Sequence, residues 1–347
     1  MTRVYLDHNA TMPLRPEARA AMVTAMDVAG NPSSVHAEGR AAKSLIEKAR
    51  AQVAAAFGAD GADIVFTSGA TEAAGLALEG RGMHGAAVEH DAVLSRIVAD
   101  WPVDAAGIVT PGEAGSGTLQ LANSETGVIQ RLPAGLAVCD ATQAFGKIPV
   151  AFNWMGCDMA LISAHKIGGP KGIGALVMKR GTDVVARMTG GGQEMGRRAG
   201  TENVIGIAGF GAAAEAAMAE LESGAWDRVR ALRDAFEARV LDAAEDVGIA
   251  GGESDRLPNT SCLIAPGWKG ETQVMQMDLK GFAVSAGSAC SSGKVRESRV
   301  LRAMGFDDRE AASAIRVSLG PRTTEDEMTR FADAWLAQLD KHRARAA

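Results

Sequence analysis

Two apolar runs separated by a short glycine- and proline-rich turn constrain this chain most. Residues 158–162 read as a buried strand, and 173–178 form a second apolar run after Gly168, Gly169 and Pro170. Lys166 sits on the turn between them, after Ser163, Ala164 and His165. Burying a lysine is costly unless it is paired or used, and here it could form a Schiff base with a carbonyl compound. Taken alone, the segment reads better as a surface lysine on a hairpin. A second segment shifts the balance: the apolar strand 137–139 ends in Asp140, with Gln143 three residues later. A lysine Schiff base and an acid that keeps a pyridine nitrogen protonated are the pair that pyridoxal phosphate requires.

Other segments fit that scheme when read in order. The opening strand breaks at Asp7-His8-Asn9, Pro16 starts a helix over 17–26, and Gly30 to Ser34 form a polar turn containing Asn31. A long helix is expected over 35–57. The β-rich run 63–67 then meets a small-residue turn, with Ala70 and Thr71 at the mouth of a helix over 72–79. Free backbone N–H groups there can cradle a phosphate, although on this segment alone ordinary capping is the better reading. His90 ends a strand, where it serves as a cap or stacks on a cofactor ring. A helix is expected over 92–99, a loop over 104–117, and a strand over 118–122 ending at Asn123. The link to the Asp140 strand is barely enough for a parallel crossover, so its covering helix is expected to be missing or vestigial. Residues 190–201, ending at Thr201, read as a flexible basic loop.

Two helices, 204–221 and 225–247, lead into alternating strands (260–265, 282–285, 314–319) and helices (272–279, 298–304, 325–339). Cys139 and Cys262 lie on apolar strands and read as core residues. Cys290 lies among small residues that offer no core, as suits a travelling nucleophile. Arg316, inside an apolar strand, needs an anionic partner, best a carboxylate gripped by both its nitrogens.

The 347 residues suit one large and one smaller domain, and a net charge of −6 without long like-sign runs suggests neither a nucleic-acid nor a membrane surface. The N-terminus lacks a signal-peptide core and no apolar run is long enough to span a bilayer. The four cysteines and six histidines show no disulfide or metal-ligand spacing. The expectation is a cytoplasmic, reduced, metal-free protein.

In order along the chain, YLDHNAT, GNPSS, IVFTSGATE, VEH, NSETGVIQ, CDATQAFGKIPV, SAHKIGGPKGIGAL, GGGQEMGRRAGTEN, SAGSACSSG and IRVSLG resemble the cysteine desulfurases of the NifS/IscS type, in the class V aminotransferase group of fold-type-I pyridoxal-phosphate enzymes. The resemblance implies an α/β fold: a large domain (15–222) with a mostly parallel seven-stranded sheet, and a smaller α/β C-terminal domain (223–347, with 1–14). It implies that Lys166 carries the cofactor and shuttles protons, Asp140 pairs with the pyridine nitrogen, Gln143 faces the phenolic oxygen, and His90 stacks on the ring. Ala70, Thr71, Ser163 and His165 are implied around the phosphate, with Thr201 from the second subunit of a homodimer. Asn123 and Arg316, helped by Asn31, would hold the carboxylate of L-cysteine, and Cys290 would take its sulfur as a persulfide, leaving alanine. The sulfur would pass to an acceptor protein, such as an iron–sulfur scaffold. The segments 80–121 and 127–140 are shorter than the resemblance leads one to expect. A selenocysteine lyase, another class V lyase or aminotransferase, and an idle scaffold subunit are the alternative readings.

Overall fold

The computed structural model describes residues 3–287 and 297–346. A two-residue strand, β1 (Val4–Tyr5), precedes α1 (Pro16–Met26), which starts on a proline where a missing N–H costs nothing. His36 caps α2 (Ala37–Ala56) by accepting the Gly39 N–H, and Ile46, Ala49 and Val53 form its buried stripe. Strands and short helices then alternate: β2 (Asp63–Thr67), α3 (Ala70–Leu78), β3 (Met83–Ala86), α4 (Asp91–Leu94), β4 (Ile97–Trp101), β5 (Thr118–Gln120), β6 (Leu136–Asp140), β7 (Cys157–Ser163) and β8 (Gly174–Met178). The long helices α5 (Val204–Glu222) and α6 (Ala225–Ala243) follow. The C-terminal part contains β9 (Gly248–Ile249), β10 (Thr260–Ile264), α7 (Gly270–Leu279), β11 (Phe282–Ala283), β12 (Ser285–Ala286), α8 (Arg299–Ala303), α9 (Asp308–Ala311), β13 (Ala314–Ser318) and α10 (Glu325–Ala346).

The main sheet has the order β2-β8-β7-β6-β5, and only β8 runs against its neighbours. Every residue of β8 is buried, as is all of β7 except Asp158. That is the near-continuous apolar pattern of a sheet covered on both faces. The expected seven strands are present as five in one ladder plus a parallel β3–β4 pair, joined to the ladder by a single bridge between His84 and Gly117. Trp101 packs so tightly over Gly117 that a Cβ there would stand 2.2 Å from its ring.

Three expectations need correction. The helix expected over 92–99 is only the short α4, because Ile97 and Val98 pair with Met83 and His84 as strand. The strand expected over 282–285 splits, with β11 pairing β1 and β12 pairing β13. The loop 190–201 is pinned: Arg197 bonds Asp63, Arg198 bonds Glu72, and Glu194 is buried against Arg50. Between Gly127 and β6 there is no helix, as the short link requires.

Small residues let α5 lie close over α1 and α2. A Cβ at Gly211 would meet Ala49 Cα at 2.7 Å, and one at Gly209 would meet Met22. By length and composition α5 is apolar enough to cross a membrane; here half of that apolar window is buried inside the fold. In the C-terminal part, β12-β13-β10-β9 form an antiparallel sheet. Its core gathers Val4 and Leu6 with Trp226, Phe236, Phe331 and Trp335. Trp268 and Trp335 pack with ring centroids 5.5 Å apart, an arrangement worth about 1 kcal/mol beyond burial.

Candidate active site

A cavity of about 460 Å³ opens where β6 and β7 end and α3 begins. Ligands in open α/β sheets bind at such carboxyl-terminal strand ends. Ala70, Thr71, His90, Asp140, Gln143, Ser163, His165 and Lys166 all line it. The turn carrying Lys166 is a single 3₁₀ segment, Ala164–Ile167, closed by Gly168 at φ 79°, a left-handed conformation that favours glycine. Lys166 Nζ donates to the main-chain oxygens of Asn9 (2.5 Å) and Ala10 (3.1 Å). The N-terminal motif therefore reaches across to hold the amine.

Asp140 lies across the cavity at the end of β6, where its Oδ1 accepts the Thr142 N–H at 2.9 Å. Behind it Glu89 is fully buried, its Oε1 accepting the Gln120 N–H at 2.6 Å. Burial, and next the charge of Asp140, push the Glu89 carboxyl well above the usual carboxylate range. His90 Nδ1 accepts the Ala92 N–H at 3.1 Å, which leaves the ring's proton on Nε2.

The opposite end suits a phosphate. Ser68, Gly69, Ala70 and Thr71 line the cavity at the N-terminus of α3, where backbone N–H groups and the helix dipole favour an anion. One of them, Ser68 N–H, is already donated to Glu72 at 2.7 Å. Gly174 lets β8 approach this turn: a Cβ there would stand 2.8 Å from the Gly69 backbone. Burial foremost, then the charges of Lys166 and Lys171, lowers His165 to about 4, so its ring is neutral at pH 7. Thr142 Oγ1, on the cavity wall, is buried without a hydrogen-bond partner. A polar ligand with an anionic end fits this lining, and pyridoxal phosphate is such a ligand.

Arg316 is buried on β13, with Nη2 bonded to Asp7 at 2.8 Å and Nη1 to the Ser124 main-chain oxygen at 3.0 Å. Its Nε is a buried donor without an acceptor among the described residues. Asn123 does not line the cavity. Its Oδ1 accepts from Glu125 N, Thr126 N and Thr126 Oγ1, and its Nδ2 donates to Val88 O, so its side chain holds the turn that presents Ala122 and Ser124. Asn31 and Thr201 are exposed and outside the cavity; Asn31 Oδ1 accepts the Ser33 N–H in its own turn. Cys290 lies outside the described residues.

Sequence reasoning missed Asp7, Asn9, Glu89, Glu125 and Lys147. All five lie inside motifs already quoted from the chain. Glu125 accepts from Ser298 Oγ at 2.5 Å, and a Cβ on Gly287 would stand 3.3 Å from its Oε2. Burial raises Glu125 to about 7, against the pull of the Ser298 bond and the Arg316 charge.

This fold, with a lysine lining its main cavity, is that of a fold-type-I enzyme. The class-V aminotransferase family model matches residues 4–97 and 108–331, so the chain belongs to that family, whose members depend on pyridoxal phosphate. The chain is 37% identical to the cysteine desulfurase IscS of Dictyoglomus turgidum, covering 98% of this chain and 95% of the relative. It is 38% identical to a cysteine desulfurase of Cereibacter sphaeroides, covering 99% and 97%. A solved NifS-like protein from Rickettsia africae superposes with a TM-score of 0.89 at 32% identity, covering 97% of this chain and 99% of the other. The first comparison runs over 376 positions against the 347 residues here, so this chain carries gaps against that relative.

Proposed function

We propose that Lys166, Asp140, Arg316 and Cys290 divide the work of cysteine desulfuration between them. The enzyme class, the pyridoxal-phosphate dependence and the conversion of cysteine to alanine with sulfur transfer follow from the family and the full-length relatives. The division of labour rests on one observation above others: Lys166 and Asp140, 26 positions apart in sequence, face one cavity with a phosphate-suited helix start beside them.

Pyridoxal phosphate, when bound, supplies an electron sink that makes the substrate's Cα–H acidic. Lys166 Nζ holds the cofactor's aldehyde carbon and moves protons. Asp140 keeps the pyridine nitrogen protonated, and His90 covers the ring. Gln143 faces the phenolic oxygen, while Ala70, Thr71, Ser163 and the neutral His165 hold the phosphate. Arg316 grips the substrate carboxylate; its unsatisfied Nε supports this reading. The thiolate of Cys290 takes the sulfur of cysteine as a persulfide, and alanine leaves.

The enzyme works as a homodimer in this reading, with Thr201, exposed and remote from its own cavity, reaching the phosphate of a second copy. The division is a large domain (15–222) and a small one (223–347, with 1–14), supported by the separate core that joins Val4 and Leu6 to residues of the C-terminal part. The sulfur goes to an acceptor protein in the cytoplasm, such as an iron–sulfur scaffold. Incubating the purified protein with pyridoxal phosphate tests the core of this reading. A yellow protein that forms alanine from cysteine, and a colourless inactive Lys166→Ala, are expected. A Lys166→Ala protein that kept both colour and turnover would contradict it.

A further inference from the structure

Lys147 is the most deeply buried lysine among the described residues, 1% exposed, four residues after Gln143. Its Nζ donates to Gln143 Oε1 at 2.6 Å and to Asn9 Oδ1 at 3.0 Å. Among the described residues it takes part in no ion pair, and a buried lysine without a counterion is costly. Burial, then the charges of Lys166 and Arg316, push its amine well below the usual lysine range. The other titratable groups coupled to it are His8 and His165, both of which its charge lowers. On its far side a second cavity brings up Glu222, Asp227 and Arg230.

The hydrogen bonds fix the Gln143 amide completely. Its oxygen is taken by Lys147, and one N–H goes to the main-chain oxygen of Asn9 at 3.0 Å, the same oxygen that receives Lys166. Asn9 is itself locked: Nδ2 donates to Thr260 Oγ1 at 2.8 Å, and Oδ1 also accepts from Asn259 Nδ2 at 3.0 Å. With its oxygen held by Lys147 and one N–H by Asn9, the amide is oriented and keeps a second N–H without a partner among the described residues. Gln143 lines the cavity, so what it offers there is a donor.

We propose that Lys147 is a positioning residue for the cofactor site: by holding Gln143 Oε1 it makes Gln143 present an N–H, never a carbonyl, to the cofactor's phenolic oxygen. The inference rests on the reading that Gln143 faces that oxygen and Lys166 carries the cofactor. A donor at the phenolic oxygen favours its anion, the form left exposed once the Lys166 nitrogen has lost its proton. Losing the donor raises the pH at which the visible band of the cofactor-loaded protein changes.

The test is the pH midpoint of that band in wild type, Lys147→Met, Lys147→Gln, Gln143→Leu and the double variant Lys147→Met/Gln143→Leu. Lys147→Met is expected to raise the midpoint by about half a unit or more, and Lys147→Gln, which keeps an N–H, by less. In the Gln143→Leu background the Lys147→Met shift should vanish, because Lys147 acts through that amide. A Lys147→Met midpoint within a tenth or two of wild type, or an equal shift without Gln143, overturns the proposal; a lysine that merely fills space lowers the melting temperature and leaves the midpoint alone. Should Lys147→Met not fold, Lys147→Ala, which also removes the donor, is read against Gln143→Leu: a shift in the same direction supports the clamp, and no shift overturns it. Borohydride reduction and peptide mapping of the wild type separate the underlying reading. Label on Lys166 with unmoved midpoints refutes the clamp alone, whereas label elsewhere refutes the site assignment beneath it.

Discussion

Asp7 and Arg316, 309 positions apart, meet at 2.8 Å beside the active-site cavity, with the guanidinium almost wholly buried. Ser285 Oγ donates to the same Asp7 oxygen at 2.8 Å, so one carboxylate from the N-terminal motif ties β12 and β13 together. The arrangement leaves Arg316 neutralised from one side, with no acceptor for its Nε among the described residues.

Removing that carboxylate should therefore do two things. Asp7→Asn leaves a buried guanidinium without its counter-charge, which costs roughly 3 kcal/mol. Denaturant titration should show that loss. The Michaelis constant for cysteine should also rise about tenfold, since the guanidinium is no longer held in place, while turnover at saturation falls less. An unchanged Michaelis constant would remove Arg316 from the carboxylate site.

Glu125 sets a pH dependence whose sign is fixed. Its folded pKa of about 7 lies above the ordinary 4.5, so its contribution to stability is fully present below about 4.5 and is lost as pH rises through 7. Wild type should thus gain on the order of 2 kcal/mol relative to Glu125→Gln between pH 7.5 and pH 4.5, after allowing for its partial exposure. His8, lowered to about 4 by burial, works in the opposite direction in both proteins and cancels in the comparison. Parallel stability curves would mean that the Glu125 carboxyl is ordinary.

The edge of the main sheet depends on Arg50 and Glu194. Arg50 donates to Ile64 O and Glu194 accepts the Phe66 N–H at 2.8 Å, so two side chains satisfy the outward-facing groups of β2. Burial, the largest single influence, works against the Arg50 charge, but the hydrogen bonds and charges of Glu194 and Glu47 together outweigh it and hold its pKa above the usual value. Glu194 and Met195 adopt left-handed backbone (φ 46° and 60°), held there by this pair. Glu194→Gln should cost roughly 3 kcal/mol by denaturant titration. A change below about 0.5 kcal/mol would show that the pair is not what pins the loop.

Much of this site was legible before any coordinates. Lys166, Asp140, Gln143 and the Ala70–Thr71 turn stand at ends of apolar runs, and period and breakers suffice to find such places. What could not be read is which polar residues serve one another. Asn9 joins Lys147, Lys166, Gln143 and Asn259 across 250 positions, and no local pattern encodes that. Asn123 shows the converse: its place in a quoted motif suggested a ligand contact, yet three donors already occupy its oxygen. The expected helix over 92–99 failed for a related reason, since pairing with β3 overrode local preference in 97–101.

The central claim is that sulfur leaves cysteine in the Lys166–Asp140 cavity and comes to rest on Cys290. Mixing the cofactor-loaded protein with one equivalent of cysteine, blocking thiols and mapping peptides by mass spectrometry tests it most directly. One added sulfur atom on the Cys290 peptide, lost in Cys290→Ser together with turnover but with the protein's colour kept, is the predicted result. Added sulfur on another cysteine, or full turnover by Cys290→Ser, would contradict it.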